Sequence, residues 1–221
     1  MRIGFFGGTF NPVHFGHLRA ALEVREGFEL DEIILIPAAL PPHKMPGEVV
    51  DAADRLQMLK LAIEDTPGLN LSDVELMRSG PSYTIDTVQH LKHTLPAESW
   101  IYLIMGMDAF LEIDTWKSYR ELLEQIPFII INRPKTGTGS KGFGWKIMEN
   151  FLTSKISADY VFSESQCCYR AKGTQSVYVF EVTSLDISST RIRNLITRRR
   201  SIGYLVPRKV AEFINSKGLY L

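Results

Sequence analysis

Gly7-Gly8-Thr9-Phe10-Asn11-Pro12-Val13-His14-Phe15-Gly16-His17-Leu18 is the stretch that decides the fold of this 221-residue chain. It follows a short apolar run, Ile3-Gly4-Phe5-Phe6, which reads as a buried strand. It leads into Leu18-Arg19-Ala20-Ala21-Leu22-Glu23-Val24-Arg25, whose apolar positions recur three and four apart as on a helix. Two glycines and two histidines therefore sit where a strand ends and a helix begins, the edge at which an open parallel sheet binds ligands. Gly7 and Gly8 let a ligand approach the backbone with no Cβ in the way. The free N–H groups of the helix start favour an anion, most simply a phosphate. His14 and His17, three apart, reach that anion from one side of the first turn. The P-loop pattern is absent and the glycine spacing does not fit Gly-x-Gly-x-x-Gly, which argues against an ordinary kinase or dehydrogenase.

Composition narrows the class. A chain of 221 residues can enclose one sizeable core, and a hydrophobic share of 45% is ordinary for a globular protein. We expect a single domain over 1–221. The 25 basic and 25 acidic residues balance, so nothing argues for bulk nucleic-acid binding. No apolar run approaches membrane-spanning length, and the first strand begins too soon for a signal peptide. The only cysteines, Cys167 and Cys168, are adjacent and lack metal-ligand spacing, as expected of free thiols in a reducing cytoplasm.

Strands and helices alternate along the rest of the chain. Ile33–Pro37, Leu69–Leu71, Trp100–Met105, Phe128–Asn132 and Val177–Val182 read as strands. Ala52–Asp65 reads as a helix with Leu56, Leu59 and Ile63 on its apolar stripe. A further helix runs from Ser82 or Tyr83 to Leu95. Val206, Val210, Phe213 and Ile214 mark another in the C-terminal segment 203–221. This order predicts an α/β fold with a doubly wound parallel sheet. Lys135–Gly144 reads as a loop. Residues 145–175 give no clear element and are expected to form an extension between two sheet strands.

The first motif resembles the signature of the His-x-Gly-His nucleotidyltransferases, which move a nucleotide from a nucleoside triphosphate onto a phosphate or a phosphorylated alcohol. A second signature of that superfamily is a serine- and threonine-rich helix start near the C-terminus, and here Ile187-Ser188-Ser189-Thr190-Arg191-Ile192-Arg193 matches it. Within the superfamily, three more segments are similar to the bacterial nicotinate-mononucleotide adenylyltransferases: Pro41-Pro42-His43-Lys44, Pro81-Ser82-Tyr83-Thr84, and Gly106-Met107-Asp108 followed by Thr115-Trp116. The resemblance covers most of the chain. It implies a Rossmann-like nucleotidyltransferase fold and the joining of nicotinate mononucleotide to ATP, giving nicotinate adenine dinucleotide and pyrophosphate. Residues 134–175 are longer than the family pattern, and no function is carried onto them.

The resemblance also implies roles. His14 and His17 are the catalytic pair. Gly7, Gly8, Thr9, Phe10, His17, Gly106, Asp108, Arg133, Ser188, Ser189, Thr190 and Arg193 face ATP. Lys44, Thr84, Trp116 and Asp108 face the mononucleotide, Trp116 by stacking on the pyridine ring and Thr84 by bonding its carboxylate. Arg191 is expected to point to solvent, and Ser188 also reads as an N-cap. The attacking phosphate monoester has a second pKa near 6, so it is mostly dianionic at neutral pH and needs no general base. Catalysis then reduces to positioning and charge stabilisation. Mg²⁺ is expected with ATP, held by substrate phosphates and water, because no carboxylate cluster marks a dedicated cage. Asp86, His90 and His93 share a helix face and read as a solvated surface rather than a metal site. Arg198-Arg199-Arg200 reads as a solvated helix end. Two alternatives stay open: an enzyme preferring nicotinamide mononucleotide, and a nucleotide-binding module without activity.

Overall fold

The structure, a computed structural model, describes residues 1–39, 49–78, 80, 82–133 and 143–221. Along the chain the elements are β1 (Arg2–Gly8), α1 (Phe15–Gly27), β2 (Glu32–Pro37), α2 (Ala52–Ile63), β3 (Leu69–Leu71), α3 (Thr84–Thr94), β4 (Trp100–Gly106), α4 (Met107–Phe110), α5 (Tyr119–Gln125) and β5 (Phe128–Asn132). There follow α6 (Phe143–Phe151), β6 (Val161–Ser163), β7 (Cys168–Arg170), β8 (Val177–Glu181), α7 (Ser189–Thr197) and α8 (Arg208–Lys217). The sheet has eight strands in the order β3-β2-β1-β4-β5-β8-β7-β6. The first six are mutually parallel, and β7 and β6 are antiparallel additions.

The strands read as continuous apolar runs because alternate residues serve opposite layers. Phe6, Ile104, Ile129 and Ile131 pack with Ala21 and Val24 of α1, Met58 and Leu59 of α2, Ile192 of α7 and Val210 of α8. Their neighbours Ile3, Phe5, Leu103, Met105, Phe128 and Ile130 pack with Val88 and Leu91 of α3, Leu122 of α5 and Met148 of α6. The result is the doubly wound arrangement that alternation predicts.

Strand order reverses between β1 and β4. A crevice therefore opens at their C-terminal ends, where Gly7-Gly8 and Gly106 lie. The stretch 145–175 supplies most of α6, a π-helical turn over Leu152–Ile156, and the β6–β7 hairpin. It does run between two sheet strands, β5 and β8. Its hairpin extends the sheet at the edge away from the crevice, held by Tyr169, whose hydroxyl donates to the Trp145 carbonyl at 2.9 Å. Periodicity missed these strands because each is only three residues long. On α2, Leu59 and Ile63 are buried as expected, while Arg55 and Met58 complete the buried stripe and Leu56 at its edge is only partly buried. No helix among the described residues is long and apolar enough to cross a membrane.

Candidate active site

The loop between β1 and α1 carries the first motif, and its shape is set by contacts from three distant segments. Arg193 of α7 donates through Nη1 to the Asn11 carbonyl at 2.8 Å, and Ser189 Oγ donates to the Pro12 carbonyl at 2.9 Å. The Phe15 amide donates to the Leu205 carbonyl at 3.0 Å. Arg55, only 1% exposed, donates to the carbonyls of Thr9 (3.0 Å), Ala38 (2.7 Å), Ala39 (3.1 Å) and Val50 (3.2 Å). Burial lowers the Arg55 pKa, but the group stays a cation, and carbonyl oxygens replace the water it loses. Arg55 therefore ties the ends of β1 and β2 together and fixes one wall of the crevice. Phe10 takes a left-handed backbone conformation (φ 48°), unusual for an aromatic residue, and packs edge-on against Phe6 and His17.

α1 starts directly after His14, so His17 lies in its first turn. The His14 amide donates to Nδ1 of His17 at 3.3 Å. The neutral His17 ring then carries its proton on Nε2, leaving a donor on the far side. The two imidazoles stack with centroids 3.7 Å apart. Gly16 makes room for this: a Cβ there would lie 3.0 Å from Nδ1 of His14. Burial, followed by the charge of Arg133, pulls the His14 pKa from 6.5 to about 4. His17 is held well below its ordinary value by burial, then by His14 and Arg133. Both rings are neutral at pH 7 and present N–H dipoles rather than charges.

The second signature forms the start of α7 beside this loop. Ser188 is its N-cap, with Oγ accepting from the Arg191 amide at 3.2 Å. Thr190 Oγ1 accepts from Arg193 Nη2 at 3.2 Å. Arg191 points outward and pairs with Asp186 at 2.9 Å. The guanidinium of Arg193 thus bonds the motif loop and its own helix. Arg133 is exposed at the end of β5, close enough for its charge to bear on both histidines.

On the other side of Gly7 and Gly8 lies a cleft of about 350 Å³, within the size range of small-molecule sites. Thr9, Ser82, Thr84, Val88, Leu103 and Trp116 line it with those glycines. A Cβ on Gly7 would meet nothing within 4 Å, so the cleft reaches the backbone there. Thr84 is the first residue of α3, and Trp116, partly buried, ends the 3₁₀ turn Ile113–Thr115. The hydroxyl of Thr87 donates to Glu75 Oε1 at 3.0 Å and accepts from Arg78 Nη1 at 2.9 Å, bracing α3 at the cleft wall.

The structure therefore brings Gly7, Gly8, Thr9, Thr84 and Trp116 to one cleft. It brings His14, His17, Ser189 and Arg193 together around the adjoining loop. Gly106 caps α4, and Asp108 is exposed in its first turn at the β4 end of the crevice. Phe10 is 2% exposed, with its ring packed against Phe6 and His17, so it is not open to a ligand in this structure. Lys44 lies outside the described residues. Among the described residues no group of three or more His, Cys, Asp or Glu side chains could hold a metal. Asp86 pairs instead with Lys117 at 3.3 Å, and His93 Nδ1 bonds the Gln89 carbonyl at 2.6 Å. Sequence reading missed Arg55, whose signal was its position three and four residues before Met58 and Leu59 on one helix face.

Residues 5–195 match the model of the cytidylyltransferase-like family. The chain belongs to that family. A probable nicotinate-nucleotide adenylyltransferase of Desulfatibacillum aliphaticivorans is 40% identical over 222 residues, covering 100% of both chains. One from Pseudomonas syringae pv. tomato is 40% identical over 99% of this chain and 93% of its own. Within the family, then, this chain groups with the nicotinate-nucleotide adenylyltransferases. The same fold occurs in the nicotinic acid mononucleotide adenylyltransferase of Plasmodium falciparum, solved with NaAD. It superposes with a TM-score of 0.73 at 20% identity, over 99% of this chain and 97% of that one. The same enzyme solved with APC gives a TM-score of 0.71.

Proposed function

We propose that this protein transfers the adenylyl group of ATP to nicotinate mononucleotide, giving nicotinate adenine dinucleotide and pyrophosphate in the cytoplasm. A phosphate oxygen of the mononucleotide attacks the α-phosphorus, the bond to the β-phosphate bridging oxygen breaks, and the electron pair leaves on pyrophosphate. The observation that carries this reading is the adjacency of two helix starts, α1 and α7, to an apolar cleft lined by Thr84 and Trp116. The helix starts suit a triphosphate, and the cleft suits a flat ring with one polar substituent.

His17 Nε2–H and the neighbouring His14 ring are the donors for charge that develops on the triphosphate in the transition state. Both are neutral in the free protein. An arriving polyanion favours their protonated forms, so charge is supplied only when there is charge to meet. The protein's own nitrogen donors do not suit Mg²⁺, which takes oxygen ligands. A metal carried in on the nucleotide phosphates and water fits this donor set, and it would neutralise phosphate charge there. Thr84 and the backbone beside Trp116 bond the pyridine carboxylate, and Asp108 bonds nucleotide ribose.

Release of pyrophosphate from ATP plus nicotinate mononucleotide, compared with ATP plus nicotinamide mononucleotide, tests the reading. Faster turnover of the acid is expected. Faster turnover of the amide would reassign the substrate, and no pyrophosphate with either would leave a binding module.

A further inference from the structure

The last turn of the chain reaches into the motif loop. α8 ends at Gly218 in the left-handed conformation (φ 63°), and Tyr220 follows, also left-handed (φ 65°). This double turn folds the chain end back under the β1–α1 loop, where the Tyr220 hydroxyl donates to Asn11 Oδ1 at 2.8 Å. The same oxygen accepts the Val50 amide at 3.3 Å, and Asn11 is 1% exposed. The Tyr220 carbonyl accepts from Thr197 Oγ1 of α7 at 3.3 Å, so the chain end is pinned at two points. Burial raises the phenol well above its ordinary pKa, which keeps it a donor across the working range. Asn11 stands three residues before His14, and its own carbonyl is bonded to Arg193.

We infer that Tyr220 is a positioning residue for the adenylyl transfer: its hydroxyl holds the Asn11 side chain, and through it the loop that sets His14 and His17 against the triphosphate. Packing alone does not require the hydroxyl, since phenylalanine would fill the same space. A buried amide oxygen has two lone pairs, and here both are engaged, one by each side of the loop's surroundings. Losing the phenol leaves Oδ1 with the Val50 amide and a softer pivot. Small displacements of reacting groups weigh heavily on rate. The inference rests on the reading of His14 and His17 as phosphate-facing groups.

Tyr220→Phe in the full chain is the test, with Tyr204→Phe, a tyrosine that is 95% exposed, as control. For Tyr220→Phe, kcat is expected to fall on the order of tenfold, while KM for the mononucleotide and the melting temperature stay near wild type. In the free protein, NMR titration is expected to move the His14 and His17 midpoints upward toward the ordinary histidine value, as the loop loosens and water enters. The control should change neither. A second arm is the double variant with Asn11→Ala. If the hydroxyl acts through Asn11, Tyr220→Phe should add nothing to the loss caused by Asn11→Ala. A lowered melting temperature with unchanged kcat and unchanged midpoints would make Tyr220 merely structural and overturn the inference. Additive losses in the double variant would also overturn it. The titration needs no substrate, so it tests the positioning even if the proposed reaction fails.

Discussion

The two helix starts that meet at the motif loop present an anion with opposite chemistry. α1 begins at His14, 2% exposed, with two stacked neutral imidazoles and no hydroxyl. α7 begins at exposed Ser188, with a hydroxyl cap and a run of serine and threonine. The difference follows from burial. A permanent cation at the α1 start would be costly while the site is empty, so the residue there must be able to lose its charge. At the α7 start water can replace the anion, and hydroxyls suffice. The buried start is therefore the one expected to set the rate and to respond to pH.

His17→Ala removes the Nε2–H donor at the α1 start and should lower turnover by 10²-fold or more, about 3 kcal/mol, with the fold retained. Near wild-type turnover would place the catalytic weight on α7 instead.

A third helix start extends the comparison to the cleft. Thr84→Val keeps the shape at the start of α3 and removes one hydroxyl. A lost bond to a charged group costs about 1.5–3 kcal/mol. The preference for nicotinate over nicotinamide mononucleotide should narrow by roughly tenfold or more in kcat/KM. Equal losses for both substrates would assign selection to the backbone donors beside Trp116.

The third prediction concerns acid. His14 takes up its proton near pH 6.5 when unfolded but only at about pH 4 when folded. Between those values the unfolded chain binds more protons, so stability must fall as pH is lowered from 6.5 toward 4. The slope should be about 1.4 kcal/mol per pH unit for each such proton. Urea unfolding of wild type and His14→Asn at pH 7, 6 and 5 should show a flatter dependence in the variant. Ser188→Ala, which removes no titrating group, should keep the wild-type slope.

The smallest effect is expected at Ser188 itself. Loss of the cap should cost about 1 kcal/mol of stability, with only a modest rise in KM for ATP. Thermal unfolding and steady-state kinetics of Ser188→Ala measure the two together. A loss of turnover as large as that of His17→Ala would erase the distinction between the helix starts.

Much of this architecture was legible in the residues. Leu69–Leu71 and Phe128–Asn132 are strands over the expected residues, and Trp100–Met105 is extended by one. Long apolar runs bounded by turn residues specify buried parallel strands, because both faces must be covered. The two motifs gave the helix starts, because glycine and capping residues act within one turn. The short antiparallel strands β6 and β7 were not legible, since three residues carry too little periodicity to separate strand from turn.

What the sequence by itself determined is local: where the chain turns, which runs are buried, and that two anion-binding helix starts exist. Only the tertiary structure decided that they share one loop. The Ser189–Pro12, Arg193–Asn11 and Tyr220–Asn11 bonds join residues 177, 182 and 209 positions apart. The same holds for Arg55, whose helix face was readable but whose partners were not. The carbonyls it meets belong to Thr9, Ala38, Ala39 and Val50, and every residue has a carbonyl. Which carbonyls need a donor is settled by which backbone groups the folded chain buries without a strand or helix partner. The neutrality of His14 and His17 has the same origin. An isolated His-x-Gly-His segment would titrate near 6.5, and it is the packing of the loop against α7 and the chain end that removes the water.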